Sequence, residues 1–206
     1  MSISATKKIA KQKAYFSGSV KNYRRSMLMH LTPIKHFYRL SSKYIKGEVL
    51  DVGSGGLITY DIAKAKSVLL TDISEDLIRS PQKIVNDRLE FVNDDRAKTK
   101  VANVFKLPFK KSSFDTVLVL SVLHHLSLPK VASNYRNLDN ALKESYRVVK
   151  PKGYLLIWES CLSILISRIY KFFYEVTYSF FIKFNKPLPY FFFSSGRIKF
   201  FEGKRF

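Results

Sequence analysis

The sequence predicts an α/β fold in three layers, a mostly parallel sheet with helices on both faces. Three observations carry this expectation. Short apolar runs alternate with stretches of helical spacing along the middle of the chain. The runs at 48–52, 67–72, 115–120 and 154–158 have the length of buried strands. The polar and glycine-bearing motifs fall at the carboxyl ends of these runs, where ligands bind in such sheets.

Residues 5–14 read as a short basic helix. Two further helices are expected near 20–31 and 33–45. In the second, Ile34, Phe37, Tyr38 and Tyr44 follow an approximate helical spacing, and Pro33 suits a helix start. Glu48 to Val52 ends in Gly53 and reads as the first strand. A helix over Ile58 to Lys64 and a strand over Ser67 to Asp72 follow. Ser74, with Glu75 and Asp76 behind it, looks like a helix N-cap with acids in the first turn. Pro81 interrupts the next stretch. Leu89 to Val92 suits a strand or a helix; helix is favoured, which puts the third strand at 99–103, ahead of Leu107-Pro108-Phe109. The fourth strand is Asp115 to Leu120. A helix over 133–149 carries Leu138, Leu142, Tyr146 and Val149. Pro151-Lys152-Gly153 ends it, and Tyr154 to Trp158 is the fifth strand.

The chain has 206 residues, 46% of them hydrophobic and 25% charged, which suits one globular domain and excludes wholesale disorder. The lone cysteine, Cys161, excludes an intrachain disulfide and a multi-cysteine zinc site. No metal is expected, and a reducing, cytoplasmic setting fits. The net charge of +20 is unevenly placed. Residues 1–47 hold 11 Lys/Arg and no acid, whereas 48–160 hold 17 basic and 14 acidic residues. Residues 161–206 hold 8 basic and 2 acidic residues. Basic flanks attract polyanions: RNA, DNA or an anionic membrane surface. They equally suit a solvated face. Met1 to Lys13 lacks the apolar segment of a secretory signal. Its Lys and Ser without acids are shared with organelle transit peptides, although arginine starts only at Arg24.

Gly53 and Gly55 follow the first strand at once, where the backbone must turn tightly and let a ligand approach. A dinucleotide fingerprint would also need glycine at 58, where isoleucine stands. Asp72 ends the second strand and can accept hydrogen bonds from two ribose hydroxyls, or simply start the next helix. Further segments are Asn103 to Phe109, Leu120 to Leu126, and Ala141 to Gly153.

In this order the five pieces resemble the class I methyltransferases dependent on S-adenosylmethionine (SAM), of the type 11 group with a Rossmann-like domain. The resemblance spans about 48–160 and implies SAM as methyl donor. It implies that Asp51, Gly53, Ser54, Gly55 and Gly56 hold the methionine end. Asp72 matches the acid on the ribose, with Ile73 beside the adenine. Asn103 and Val104 fall near the adenine amine, where the family usually has aspartate. Ser121 and Val122 match the segment under the sulfonium. Leu57 stands where the family often has a third glycine. The family's final antiparallel hairpin has one candidate, 189–194 with 197–202 around Ser195-Gly196; otherwise the chain stops short of it. His124 and His125 are the candidate bases, and adjacent helical residues do not both face one cleft. Packing or helix-start roles suit them as well.

Residues 161–184 are apolar and aromatic, but Arg168, Lys171 and Glu175 mark one narrow polar stripe. Spanning a membrane with three central charges is costly. A helix lying in a membrane interface fits, as does a cap over the acceptor cleft. The expected organisation is a basic extension (1–47), a SAM-binding core (48–160) and an aromatic carboxyl segment (161–206). The expected activity is methyl transfer to a small or lipid-like acceptor, peripheral on a membrane. One alternative is an RNA methyltransferase that uses the basic amino-terminal segment with Tyr15, Phe16 and Tyr23. Another is a non-catalytic SAM-binding or membrane-associated protein.

Overall fold

The computed structural model describes residues 20–28, 31–126, 131–159 and 161–162, single positions at 166, 169, 172, 173, 177 and 184, and the pair 193–194. Two helices lead, α1 (Val20–Met27) and α2 (Leu31–Ser41). The main strands are β1 (Gly47–Val52), β3 (Ala65–Asp72), β6 (Ala97–Val101), β7 (Phe114–Leu120) and β8 (Val149–Trp158). They form one five-stranded sheet in the order β6-β3-β1-β7-β8, with every pairing parallel. The order reverses at β1, so the crevice beyond the ends of β1, β3 and β7 is the place for a ligand.

Both faces are covered at the centre of the sheet, which is why Val49-Leu50, Val68 to Leu70 and Val117 to Val119 are apolar. On one face Leu50, Val52, Val117 and Val119 pack with Leu123, Leu138 and Val148. Leu138 belongs to helix α4 (Val131–Arg147). On the other, Val49, Val68, Leu70 and Leu118 pack with Phe37 of α2, Ile45, Ile58 and Tyr60. Phe37 also meets the Trp158 ring at 5.3 Å between centroids. The three-layer α/β expectation is therefore met.

Several local expectations are not. The helix over Ile58 to Lys64 is absent: Leu57–Ile58 is a short strand, β2, followed by turns. Asp61 accepts its bond from the Ala63 amide at 2.8 Å, and Tyr60 turns inward to 3% exposure, so the segment closes locally without a helical ladder. The helix at Leu89 to Val92 is also absent. Here β4 (Gln82–Val85) pairs antiparallel with β5 (Arg88–Phe91). Asn86 and Asp87 both have positive φ (47° and 61°), the conformation a two-residue hairpin turn needs. The helix behind Ser74 shrinks to one turn, α3 (Glu75–Ile78), ahead of Pro81, and Ser74 makes no side-chain cap bond. The third strand begins two residues early, at Ala97.

Helix 5–14 and most of 161–206 lie outside the described residues. Within that carboxyl segment Ile166, Ile169, Phe172, Phe173 and Thr177 are helical. Cys161–Leu162 (β9) pairs in parallel with Phe193–Ser194 (β10). The remainder of the expected hairpin, through 202, lies outside the described residues. Among the described residues no helix is long and apolar enough to cross a membrane.

Candidate active site

The turn after β1 is built by its own glycines. Gly53, Gly55 and Gly56 have φ of 70°, 58° and 70°, a region that side chains disfavour. A Cβ on Gly53 would lie 2.7 Å from Val122, so the loop and the segment after β7 touch backbone to side chain. Ser54 bridges the turn: its amide donates to Thr71 O at 2.9 Å, and its hydroxyl accepts from the Gly56 amide at 3.2 Å. No helix follows this loop, so no helix dipole is aimed at a ligand there.

Asp72 ends β3 and ties that turn to its own. Its carboxylate accepts from the Gly55 amide at 3.1 Å and the Ser74 amide at 2.9 Å. Burial raises its pKa, and the amides of Ser74, Gly55 and Ile73 oppose that rise. Asp51 sits beneath, 1% exposed, and accepts the Tyr60 hydroxyl at 2.9 Å. Burial raises Asp51 to about 7, against the Tyr60 bond and with help from the charge of Asp72. Its second oxygen, Oδ1, has no hydrogen-bond partner among the described residues. A buried acceptor left open beside glycine-lined backbone suits a cationic, polar ligand end, such as the ammonium of SAM. On that ground the residues fit the cofactor.

One cleft gathers most of the expected positions. Gly53, Asp72, Ile73, Asn103, Val104, Ser121 and Val122 all line it. Ser121 adopts φ of 54°, which turns the chain at the end of β7, and its amide donates to Trp158 O at 2.7 Å. The Asn103 side-chain oxygen already accepts from the Phe105 amide at 3.0 Å, so any ligand contact would use its second lone pair or its amino group. Asp51, Ser54, Gly55, Gly56 and His124 lie outside the lining, as supports of its walls. Of the two histidines only His125 lines the cleft. His124 lies 3.9 Å from it, ring to ring, with Nδ1 at 2.6 Å from Glu159 Oε1. Among the described residues no His, Cys, Asp and Glu group suits a metal.

Two contributors were not marked as cofactor contacts in the sequence. Tyr23, expected to stack on RNA bases, lines the cleft instead. Its ring lies 2.8 Å from where a Gly55 Cβ would stand. Arg24 is 6% exposed; its guanidinium donates to Leu77 O at 2.5 Å and covers Gly56. Burial lowers the Arg24 pKa. Only glycine at 55 and 56 admits α1 this closely, and that pairing is the signal available in the sequence.

A methyltransferase-domain family model matches residues 50–157. The ubiquinone/menaquinone biosynthesis C-methyltransferase UbiE of Rickettsia bellii (strain OSU 85-389) is 33% identical over 139 residues, 63% of this chain and 51% of that protein. The protein of the same name from Neisseria meningitidis serogroup C is 33% identical over 144 residues, 66% of this chain and 50% of that one. The chain thus spans about half the length of these curated relatives. Among solved structures, the DhpI–SAM–HEP complex superposes with a TM-score of 0.57 at 16% identity, over 82% of this chain and 72% of that one. A putative methyltransferase in complex with the Haloferax volcanii Trm112 activator gives 0.55 at 16%, over 88% and 71%. The parallel sheet, the glycine turn and the match over 50–157 agree: the chain belongs to the SAM-dependent methyltransferase family.

Proposed function

We propose that this chain transfers the methyl group of SAM to a small, lipid-like acceptor bearing an ionisable hydroxyl, of the quinol type, at an anionic membrane surface. SAM supplies an activated methyl group on a sulfonium. The protein's part is chiefly to position two reactants, an effect worth about 7–11 kcal/mol. Residues 48–160 form the donor-binding core, Tyr23 and Arg24 of the leading flank close over its glycine turn, and the carboxyl flank serves the acceptor and the surface. Asp72 takes the ribose hydroxyls, with Ile73, Asn103 and Val104 around the adenine. Gly53 takes the methionine end, with Asp51 and Ser54–Gly56 shaping the turn behind it, and Ser121 and Val122 pass under the sulfonium.

One observation carries the lipid reading. Ile166, Ile169, Phe172 and Phe173 are helical and all more than half exposed. Their spacings of three and four put them on one face. Apolar side chains held in water on a strongly basic chain suit the boundary of an anionic bilayer. The names of the UbiE relatives point to the same acceptor class. Tyr23, one of the three aromatic residues behind the RNA alternative, lines the cleft.

Purified protein is incubated with methyl-labelled SAM and separate lipid, RNA, protein and metabolite fractions. Label in the lipid fraction, with vesicle binding that survives added salt, supports the proposal. Label in RNA alone refutes it. Tight SAM binding without transfer to any fraction favours the non-catalytic alternative.

A further inference from the structure

We propose that Glu144 and Arg147 of helix α4 are positioning residues for the adenine end of the cofactor, holding the segment 103–109 in place as part of the cleft wall. The inference rests on the cofactor placement above and deepens it. Affinity for the adenine is set in part by two side chains that lie outside the lining of its site.

Asn103, Val104 and Phe105 line the cleft just after β6. The segment they open is irregular, so its backbone groups need partners outside a regular ladder. Its start is held by the Ala102 amide, which donates to Asp72 O at 2.9 Å. Within it, the Phe105 amide donates to the Asn103 side-chain oxygen at 3.0 Å, and the Lys106 amide to Asn103 O at 2.9 Å. Its far end is held by α4. Glu144 Oε1 accepts the Leu107 amide at 2.9 Å. The Arg147 guanidinium donates to Leu107 O at 3.1 Å and Phe109 O at 2.8 Å. Three backbone groups of one short segment thus end on two side chains a single helical turn apart.

The pair is itself fixed. Arg147 meets both oxygens of Glu144, Nε to Oε2 at 2.9 Å and Nη2 to Oε1 at 2.6 Å, a two-pronged match of planar groups. Their mutual hydrogen bonds hold the Glu144 pKa below its ordinary value and the Arg147 pKa above it. Leu107 is 3% exposed, so water is poorly placed to replace the bonds at its backbone. The same helix reaches a second lining segment, where Asn137 Nδ2 donates to Leu126 O at 3.1 Å. Between these anchors Leu138 and Ala141 are buried, which seats α4 on the sheet. A shift at Leu107 passes through the Lys106 and Phe105 amides to Asn103, and so to the orientation of its side-chain amide.

Arg147→Met keeps an apolar stem and removes every donor. Full-length protein is titrated with S-adenosylhomocysteine and with S-ribosylhomocysteine, the same molecule without its adenine. In Arg147→Met the preference for the adenine-bearing ligand should fall about tenfold, with affinity for S-ribosylhomocysteine held within about twofold. Glu144→Gln keeps an oxygen for the Leu107 amide but loses the ion pair; its preference should fall in the same direction and by less. It carries the same test if Arg147→Met does not fold. A purely structural pair would lower the melting temperature and leave the preference as it was. An unchanged preference in the folded variants overturns the inference, as does an equal loss of affinity for both ligands. Asn103→Ala separates the pair from the cofactor placement. Preference lost in Asn103→Ala but kept in Arg147→Met overturns the pair alone. Preference lost in Arg147→Met but kept in Asn103→Ala moves the adenine off Asn103 and leaves the pair standing.

Discussion

Replacing Asp51 with asparagine should make the unliganded protein more stable at pH 8, although it removes a buried hydrogen-bonding carboxylate. Burial moves the Asp51 pKa from 3.8 to about 7, with the Tyr60 hydroxyl opposing the rise and the charge of Asp72 adding to it. An acid with a raised folded pKa binds a proton in the native state that the unfolded chain has already released. Between pH 4 and 7 the native state therefore holds about one more proton, and stability falls as pH rises through that window. A shift of about three units corresponds to about 4 kcal/mol, reached near pH 7 and constant above it. Asparagine keeps an oxygen for the Tyr60 hydroxyl and carries no charge, so the loss disappears. Other acids shift in both directions, Asp94 and Asp115 downward and Asp72 upward. The informative quantity is thus the difference between variant and parent. Urea unfolding midpoints at pH 4.5, 6, 7 and 8 should show a stability difference that grows with pH and levels off above 7. A difference that is flat across this range, or that favours the parent increasingly at high pH, refutes the reasoning.

Gly56→Ala should cost at least about 2 kcal/mol in urea unfolding, because φ is 70° and the new Cβ meets the Leu77 carbonyl oxygen and the Arg24 guanidinium. Arg147→Ala removes donors to the carbonyls of Phe109 at 2.8 Å and Leu107 at 3.1 Å and frees Glu144, which holds the Leu107 amide. The expected loss is about 1–3 kcal/mol, with faster hydrogen exchange at the Leu107 amide as the local readout.

The strands were legible because their physics is local and redundant. Val49-Leu50, Val68 to Leu70 and Val117 to Leu120 are apolar on both faces, and only a sheet covered twice requires that. The two missed segments are short, and helical spacing over four to seven residues is weak against turn chemistry. Asn86-Asp87 is the better guide there, since both residues tolerate positive φ. At the site, the residues brought to one cleft from separate strands stood next to strand ends, where sequence position and spatial position coincide. Tyr23, Arg24, Tyr60 and Glu159 are different. Each reaches the site through a contact with a distant or unpatterned partner, and nothing in its own neighbourhood marks it. His124 stood out in the sequence as one of two adjacent histidines, but its partner Glu159 lies 35 positions away.

The closure of α1 over the glycine turn has a kinetic consequence. A ligand beneath Tyr23 cannot enter or leave along that side unless α1 shifts, which breaks the Arg24–Leu77 bond and briefly exposes Gly55 and Gly56 to water. Strengthening that seal slows arrival and departure by the same factor, and affinity changes only through what Tyr23 itself touches. Helix α1 would then act as a door whose stiffness sets how long the demethylated product stays.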